Sequence, residues 1–335
     1  ARAFDEALAA LLGVSVEESR TLASAENLTF RTALGRLCRT SEAEYLLHRF
    51  SDPTFVATSA AVDALTSDRR LVRGAVLDVC GGAGHLARRL VAGTPAVVVA
   101  DTCFWKLWLG RRFVARDAHA VCCDANVPLP FARARFSFIV CSDAFHYVWS
   151  KRLLADELCR LAGDRGVILL AHLHNGLVEN PSAGMPLAPA AYAALFDGLD
   201  VVMLADRAHV DPATGRATLD LRAGVPPDAL AAEPAVTLVA TRRPGTRRRF
   251  TAPAGGDEGH LGINPLYDVA RAPDGALLRL RFPSRDYEEE FRSGLPRTVT
   301  VSDRVLADIE RDLATPEIAE LANRRVLLRL PASYV

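Results

Sequence analysis

The chain has 335 residues, 50% hydrophobic and 24% charged, with 40 basic residues against 40 acidic ones, so no global charge draws it to nucleic acid or a membrane surface. That length suits a main domain with extensions, and no apolar run approaches the roughly 18 residues a membrane span needs. Seven cysteines, an odd number without a C-x-x-C pair, read as buried thiols of a reducing compartment, and the expectation is a cytoplasmic protein.

Residues 1–70 read as helices. Phe4, Leu8, Leu11 and Leu12 share one helical face ahead of Gly13, and SVEE at Ser15 and SEAE at Ser41 have capping-box form. This segment is expected to act as a lid or as a substrate or dimerisation region. From Ala75 the period changes: VLDV, GHLARRLVAG, AVVVAD, the segment around FWKLWLGRR and AVCCD alternate β-branched runs with amphipathic helical stretches. FSFIVCSD follows, then a helix from Ser150 with Leu154, Leu158 and Leu161 on one face, and the strand VILLAHL. Such alternation predicts a parallel sheet covered by helices. A helix near AAYAALFDGL precedes the strands DVVMLAD and AVTLVATRR, which lack a helix between them and are expected to pair antiparallel. The core is thus drawn at residues 71–243, with an arginine-, glycine- and proline-rich linker at 244–262. ALLRLRFP, RTVTV, a helix from Ser302 and RVLLRLP then predict a small α+β appendage at 263–335, closing the pocket or forming a homodimer.

In VLDVCGGAGHLA, residues 76–87, glycines join a strand to a helix, so backbone N–H groups and the positive helix end can face a ligand. Gly82 to Ala87 satisfy G-x-G-x-x-A, and Asp101 ends the next strand where a carboxylate can accept from ribose hydroxyls, so an NAD(P)-dependent oxidoreductase is one reading. Asp78, ahead of the glycines, would repel a pyrophosphate but suits a cationic ligand. Asp124 ends the third strand, placed to accept from an adenine amino group, and the terminal antiparallel pair is the third feature against a dehydrogenase.

On these residues the chain resembles the class I S-adenosylmethionine-dependent methyltransferases, in their small-molecule, type 11-like branch. VLDVCGGAG looks like the first motif, VVVAD the second, CDANVPLPF the third, and FSFIVCSDAFHYV the fourth strand with its loop. The resemblance implies an α/β fold: a Rossmann-like seven-stranded sheet with the last strand antiparallel. It implies S-adenosyl-L-methionine across the strand ends, with Gly81, Gly82 and Gly84 facing the methionine moiety and Asp78 near its ammonium. Asp101 with Thr102 would hold the ribose, Asp124 with Ala125 the adenine, and Cys141 or Ser142 would supply carbonyls beside the sulfonium. Two positions depart from the family pattern. Cys80 replaces a glycine and so resists positive φ, and Ser137 replaces an aspartate, a change expected to affect structure more than chemistry.

A small-molecule acceptor is expected, methylated on oxygen or nitrogen. A composition rich in alanine and arginine associates it with specialised, natural-product metabolism. A non-catalytic binding protein on the same fold is the remaining reading. His146 ranks first as base or acceptor contact, with Tyr147 beside it and His174 in the pocket. His172 and His174, two apart on a strand, share a face, but no third ligand of matching spacing is visible, and no metal is expected. His85 reads as a helix N-terminal residue, and Trp105, Trp108 and Leu109 as a face packed on the sheet, with Phe104 flanking the adenine.

Overall fold

The computed structural model describes residues 5–7, 9–10, 13–24, 28–38, 40–180, 184–206, 218–252, 259–291 and 295–335. The chain divides into two compact units, Val56–Gly255 and Ala1–Phe55 together with Gly256–Val335. The boundaries expected at 70/71 and 243/244 therefore shift, and the two ends of the chain, read as separate bodies, belong to one unit.

In the unit Val56–Gly255 the strands of the main sheet are β1 (Ala75–Val79), β2 (Val97–Asp101), β3 (His119–Cys122), β4 (Phe136–Ser142), β5 (Val167–His174), β6 (Asp200–Ala205) and β8 (Ala235–Thr241). They stand in the order β3-β2-β1-β4-β5-β8-β6. The first five are parallel, and β8 runs antiparallel to both β5 and β6, between them. This is the expected reversed last strand. Among the described residues between β6 and β8 no α-helix intervenes, in keeping with the antiparallel pairing.

Near-continuous apolar runs such as Ile168–Leu170 are buried because both faces of a parallel sheet carry helices. Leu154, Leu158 and Leu161, one stripe of the helix Lys151–Ala162, are fully buried against Ile139, Ile168 and Leu170. On the helix Phe104–Leu109, Leu107 and Leu109 rather than the tryptophans bury the sheet face, while Trp108 meets Phe113 edge-on. Ser137 accepts from the Gly74 N–H at 3.0 Å and donates to the Ala75 carbonyl at 3.3 Å, so it ties the start of β4 to the approach to β1.

The segment expected to be a linker contains strand residues 249–251 and 260–262. β7 (Thr218–Asp220) pairs antiparallel with β9 (Arg249–Thr251), and Arg247 and Arg248 reach Asp200 and Asp68.

The other unit holds β10 (His260–Ile263) paired with β14 (Leu327–Leu330), and a meander of β11 (Tyr267–Ala272), β12 (Gly275–Leu280) and β13 (Thr298–Ser302). Its two chain segments are knitted together. Phe30 stacks on Tyr334 at 4.6 Å, the Tyr334 hydroxyl donates to the Leu46 carbonyl, and Ser51 donates to Asn264 Oδ1 at 2.8 Å.

The capping box at Ser15 forms: Ser15 N–H donates to Glu18 Oε2, and Glu18 N–H to Ser15 Oγ. At Ser41 it does not, because Thr40 occupies the cap position and Ser41 is already helical. The face of Phe4, Leu8, Leu11 and Leu12 lies outside the described residues.

Candidate functional site

β1 leads into a turn whose backbone is left-handed at Cys80 (φ 58°), Gly82 (φ 55°) and Gly84 (φ 74°). Cys80 thus adopts the positive φ that its Cβ resists, at a cost of about 1–3 kcal/mol held by the surrounding structure. Gly84 caps the helix His85–Val91, and His85 is its buried first residue, as its position suggested. Gly81 is a cradle: a Cβ there would stand 2.6 Å from Asp78 Oδ2 and 2.8 Å from Val99 Cγ1. Asp78 is only 1% exposed and its carboxylate lies beneath this turn.

Asp101, at the end of β2, accepts from the Gly82 N–H through Oδ2 at 2.9 Å and from the Cys103 N–H through Oδ1 at 2.7 Å. Sequence reasoning placed it on a ribose; the structure also makes it the brace that holds the glycine turn against β2. Each carboxylate oxygen has a further acceptor site for a ligand hydroxyl. Thr102 beside it is exposed. Asp124 accepts from the backbone and side-chain nitrogens of Asn126, which hold its carboxyl below the usual range, and Ala125 is buried.

Cys141 is fully buried. Its hydrogen bond with Cys80, and then burial, hold its thiol proton far above the ordinary range. Ser142 donates to Thr58 Oγ1 at 3.3 Å. The residues expected to contact the donor therefore stand in or just beyond the carboxyl ends of β1, β2, β3 and β4. A close-approach glycine backbone and acidic strand ends fit a cationic adenosyl ligand better than a pyrophosphate.

One strand further along, the histidines converge. His146 and His174 stack with centroids 3.8 Å apart and planes 15° from parallel, His172 meets His174 edge-on at 5.1 Å, and Tyr147 lies 4.2 Å from His146. His146 is fully buried, and neither ring nitrogen has a hydrogen-bond partner among the described residues. Burial first, then His174, drives its pKa down to about 3; burial and then His172 lower that of His174. Imidazoles so placed stay neutral at physiological pH.

Three groups here were not singled out from sequence. Asp143 follows β4 with φ 52°, and its Oδ1 stands 3.7 Å from His174 Nε2. Asp206 follows β6; its Oδ2 is 2.6 Å from His172 Nδ1, and Thr237 Oγ1 donates to its Oδ1 at 2.6 Å. A third group that could join the two histidines around a metal ion is Asp143: one of its carboxylate oxygens and one ring nitrogen each of His172 and His174 lie within 4.8 Å of one another. Spacing could not reveal it, because it comes from another strand.

Residues 76–166 match the model of a family described as a methyltransferase domain. No curated protein matches the sequence. Among solved structures, the chain is similar to the N-methyltransferase NodS of Bradyrhizobium japonicum WM9, crystallised with S-adenosyl-L-homocysteine (14% identity, 67% of this chain and 99% of that one, TM-score 0.41). It is also similar to DesVI of Streptomyces venezuelae (14%, 62% and 100%, TM-score 0.42). A third is a methyltransferase chain in a complex with the Haloferax volcanii activator Trm112 (16%, 61% and 97%, TM-score 0.44). The family match falls on the strands and turn just described: over residues 76–166 the chain matches a methyltransferase domain.

Proposed function

We propose that this enzyme methylates an oxygen or nitrogen of a small-molecule acceptor seated against the histidine cluster. The observation that carries the reading is the placement of Asp143, His146, His172 and His174 at the ends of β4 and β5, beside the strand that bears the glycine turn. Neighbouring strands stand about 4.8 Å apart, so a donor lying across β2, β1 and β4 leaves its sulfonium within reach of a molecule over β4 and β5. Exposed Tyr147, Trp149 and Met185 supply an apolar rim that suits an acceptor with a hydrophobic body, in keeping with specialised metabolism.

The donor supplies an activated methyl group. Gly81, Gly82 and Gly84 would give it close backbone approach, Asp101 with Thr102 would hold the ribose, and Asp124 with Ala125 the adenine. Asp78 would set a negative field near the ammonium, and the carbonyl of Cys141 or Ser142 would contact the sulfonium. Transfer would form the new bond from the acceptor's lone pair to the methyl carbon as the carbon–sulfur bond breaks with its electrons returning to sulfur, and the acceptor's proton would pass to solvent water. An imidazole with a pKa near 3 is a weak proton acceptor at neutral pH. His146, with Tyr147 and His174, therefore acts by contact and alignment of the acceptor.

Calorimetry with S-adenosylhomocysteine and with NADH, followed by a methyl-transfer screen over phenolic, hydroxy-acid and amine acceptors, tests this. Binding of the first, no binding of the second, and transfer to at least one acceptor are expected. Asp101→Ala should weaken S-adenosylhomocysteine about 10- to 100-fold, from charge-assisted bonds worth about 1.5–3 kcal/mol each. Unchanged affinity would remove the ribose assignment, and binding without any transfer would favour the non-catalytic reading.

A further inference from the structure

Two donors bound to one metal ion at about 2.1 Å each can be no more than about 4.2 Å apart. Asp143 Oδ1 and His174 Nε2, at 3.7 Å, meet that limit while standing too far apart for a hydrogen bond. The widest pair in the set of Asp143, His172 and His174, within 4.8 Å, needs about 0.6 Å of closure at most, which a small side-chain rotation supplies.

The surroundings are those of a ligand set. A metal-bound imidazole commonly gives its second nitrogen to a carboxylate, which fixes the tautomer and the ring. His172 does so through Nδ1 to Asp206, itself held by Thr237, and this directs Nε2 as the donor. Asp143 and Asp206 together balance the charge of a dication.

Backbone strain points the same way. Asp143 (φ 52°) and His172 (φ 53°) are both left-handed, and His172 lies where the β5–β8 register shifts between Leu170 and Leu173. That bulge re-aims a side chain, and residues held in such conformations gather at functional sites. Beside the set lies His146, fully buried, with neither ring nitrogen partnered among the described residues. A purely structural hydrogen-bond network would satisfy that ring.

We infer that Asp143, His172 and His174 bind one first-row transition-metal dication, with Asp206 orienting His172, and that the methyl acceptor offers it a chelating pair of oxygens. Two imidazoles and one carboxylate suit Fe2+, Mn2+, Co2+ or Zn2+ rather than the all-oxygen preference of Mg2+ and Ca2+. Three protein ligands leave coordination positions for a bidentate acceptor such as a catechol or an α-hydroxy acid. The metal half stands on the cluster alone; the acceptor half rests on the proposed methyl transfer.

The test strips the full chain with a chelator and titrates it with Co2+ by visible absorption. One Co2+ per chain is expected, with a ligand-field spectrum. His172→Ala/His174→Ala should weaken binding about 100-fold or more, and Asp206→Asn about 10- to 100-fold, while S-adenosylhomocysteine affinity persists as the check on folding. Absence of saturable binding by the wild type overturns the site, as does a double variant that binds both ligands as the wild type does. Should the double variant fail to fold, anomalous diffraction from a cobalt-soaked wild-type crystal decides: an ion between Asp143, His172 and His174 supports the site, and an ion only elsewhere overturns it. Catechol added to the cobalt-loaded protein should shift the spectrum, and an unchanged spectrum at millimolar catechol overturns the acceptor half. Cobalt binding without S-adenosylhomocysteine binding would instead sink the methyltransferase reading and leave the metal site standing.

Discussion

A Cβ built on Gly81 would stand 2.6 Å from both Cγ and Oδ2 of Asp78 and 2.8 Å from Cγ1 of Val99, distances that real side chains essentially never show. Gly81→Ala must therefore push the buried Asp78 carboxylate or bend the turn away from β2, breaking the alignment that the Gly82 N–H makes with Asp101. The expected outcome is a loss of S-adenosylhomocysteine affinity of about 10-fold or more, with stability lowered by about 1–3 kcal/mol, read by calorimetry and thermal melts. Wild-type affinity in that variant would show that the turn does not meet the donor. This part of the site was legible in the sequence because its chemistry is local: glycines, Asp78 and the strand ends lie within one strand-turn-helix unit and its neighbours. The histidine site was half legible. His172 and His174 advertise themselves by spacing, but Asp143 and Asp206 lie 29 residues before and 34 residues after His172, and only the β4-β5-β8-β6 order brings them together.

At the scale of elements, hydrophobic period and strand composition located the sheet strands and the helix Lys151–Ala162, since burial on both faces leaves an unmistakable apolar run. A β-bulge leaves no such mark. Strict alternation puts His172 and His174 on one face, yet the register shift and the left-handed His172 mean that their edge-on meeting arises from a broken alternation rather than a regular one. The short pairing of β7 with β9 was equally hidden, because three-residue strands carry too little pattern to stand out from the arginine- and proline-rich stretch around them. A turn glycine gives the sharpest element-level test. Gly275 opens β12 at φ 151°, and a Cβ there would stand 2.0 Å from the Val301 carbonyl oxygen across the β12–β13 pair. Because the obstacle is backbone, it cannot be relieved by a rotamer change. Gly275→Ala should destabilise the unit of 1–55 and 256–335 by at least about 2 kcal/mol, seen as faster hydrogen exchange in β12 and β13. Unchanged exchange there would refute the strand register.

On the scale of the whole molecule, the union of the chain's two ends is what pattern reading could not supply. Tyr334 donates to the Leu46 carbonyl across 288 residues of sequence, and nothing in either segment's periodicity announces the other. The core of that joint unit contains an acid-sensitive group. His48 is buried, its Nδ1 has no hydrogen-bond partner among the described residues, and Tyr287 meets its ring edge-on. Burial first, then the charge of Arg31, lower its pKa from 6.5 to about 4. Between those values the unfolded chain binds a proton that the folded chain refuses, so stability must fall as pH drops from about 6.5 and level off below about 4. At 1.36 kcal/mol per pH unit the full loss amounts to ~3 kcal/mol, and about 2 kcal/mol of it arrives by pH 5. Hydrogen exchange corrected for intrinsic rates should therefore show peptides from 1–55 and 256–335 losing protection between pH 7 and pH 5. His48→Gln, which cannot titrate, should flatten that response even if it lowers protection at pH 7. A variant whose protection in these peptides falls with acid as steeply as the wild type's would mean that another group carries the acid sensitivity.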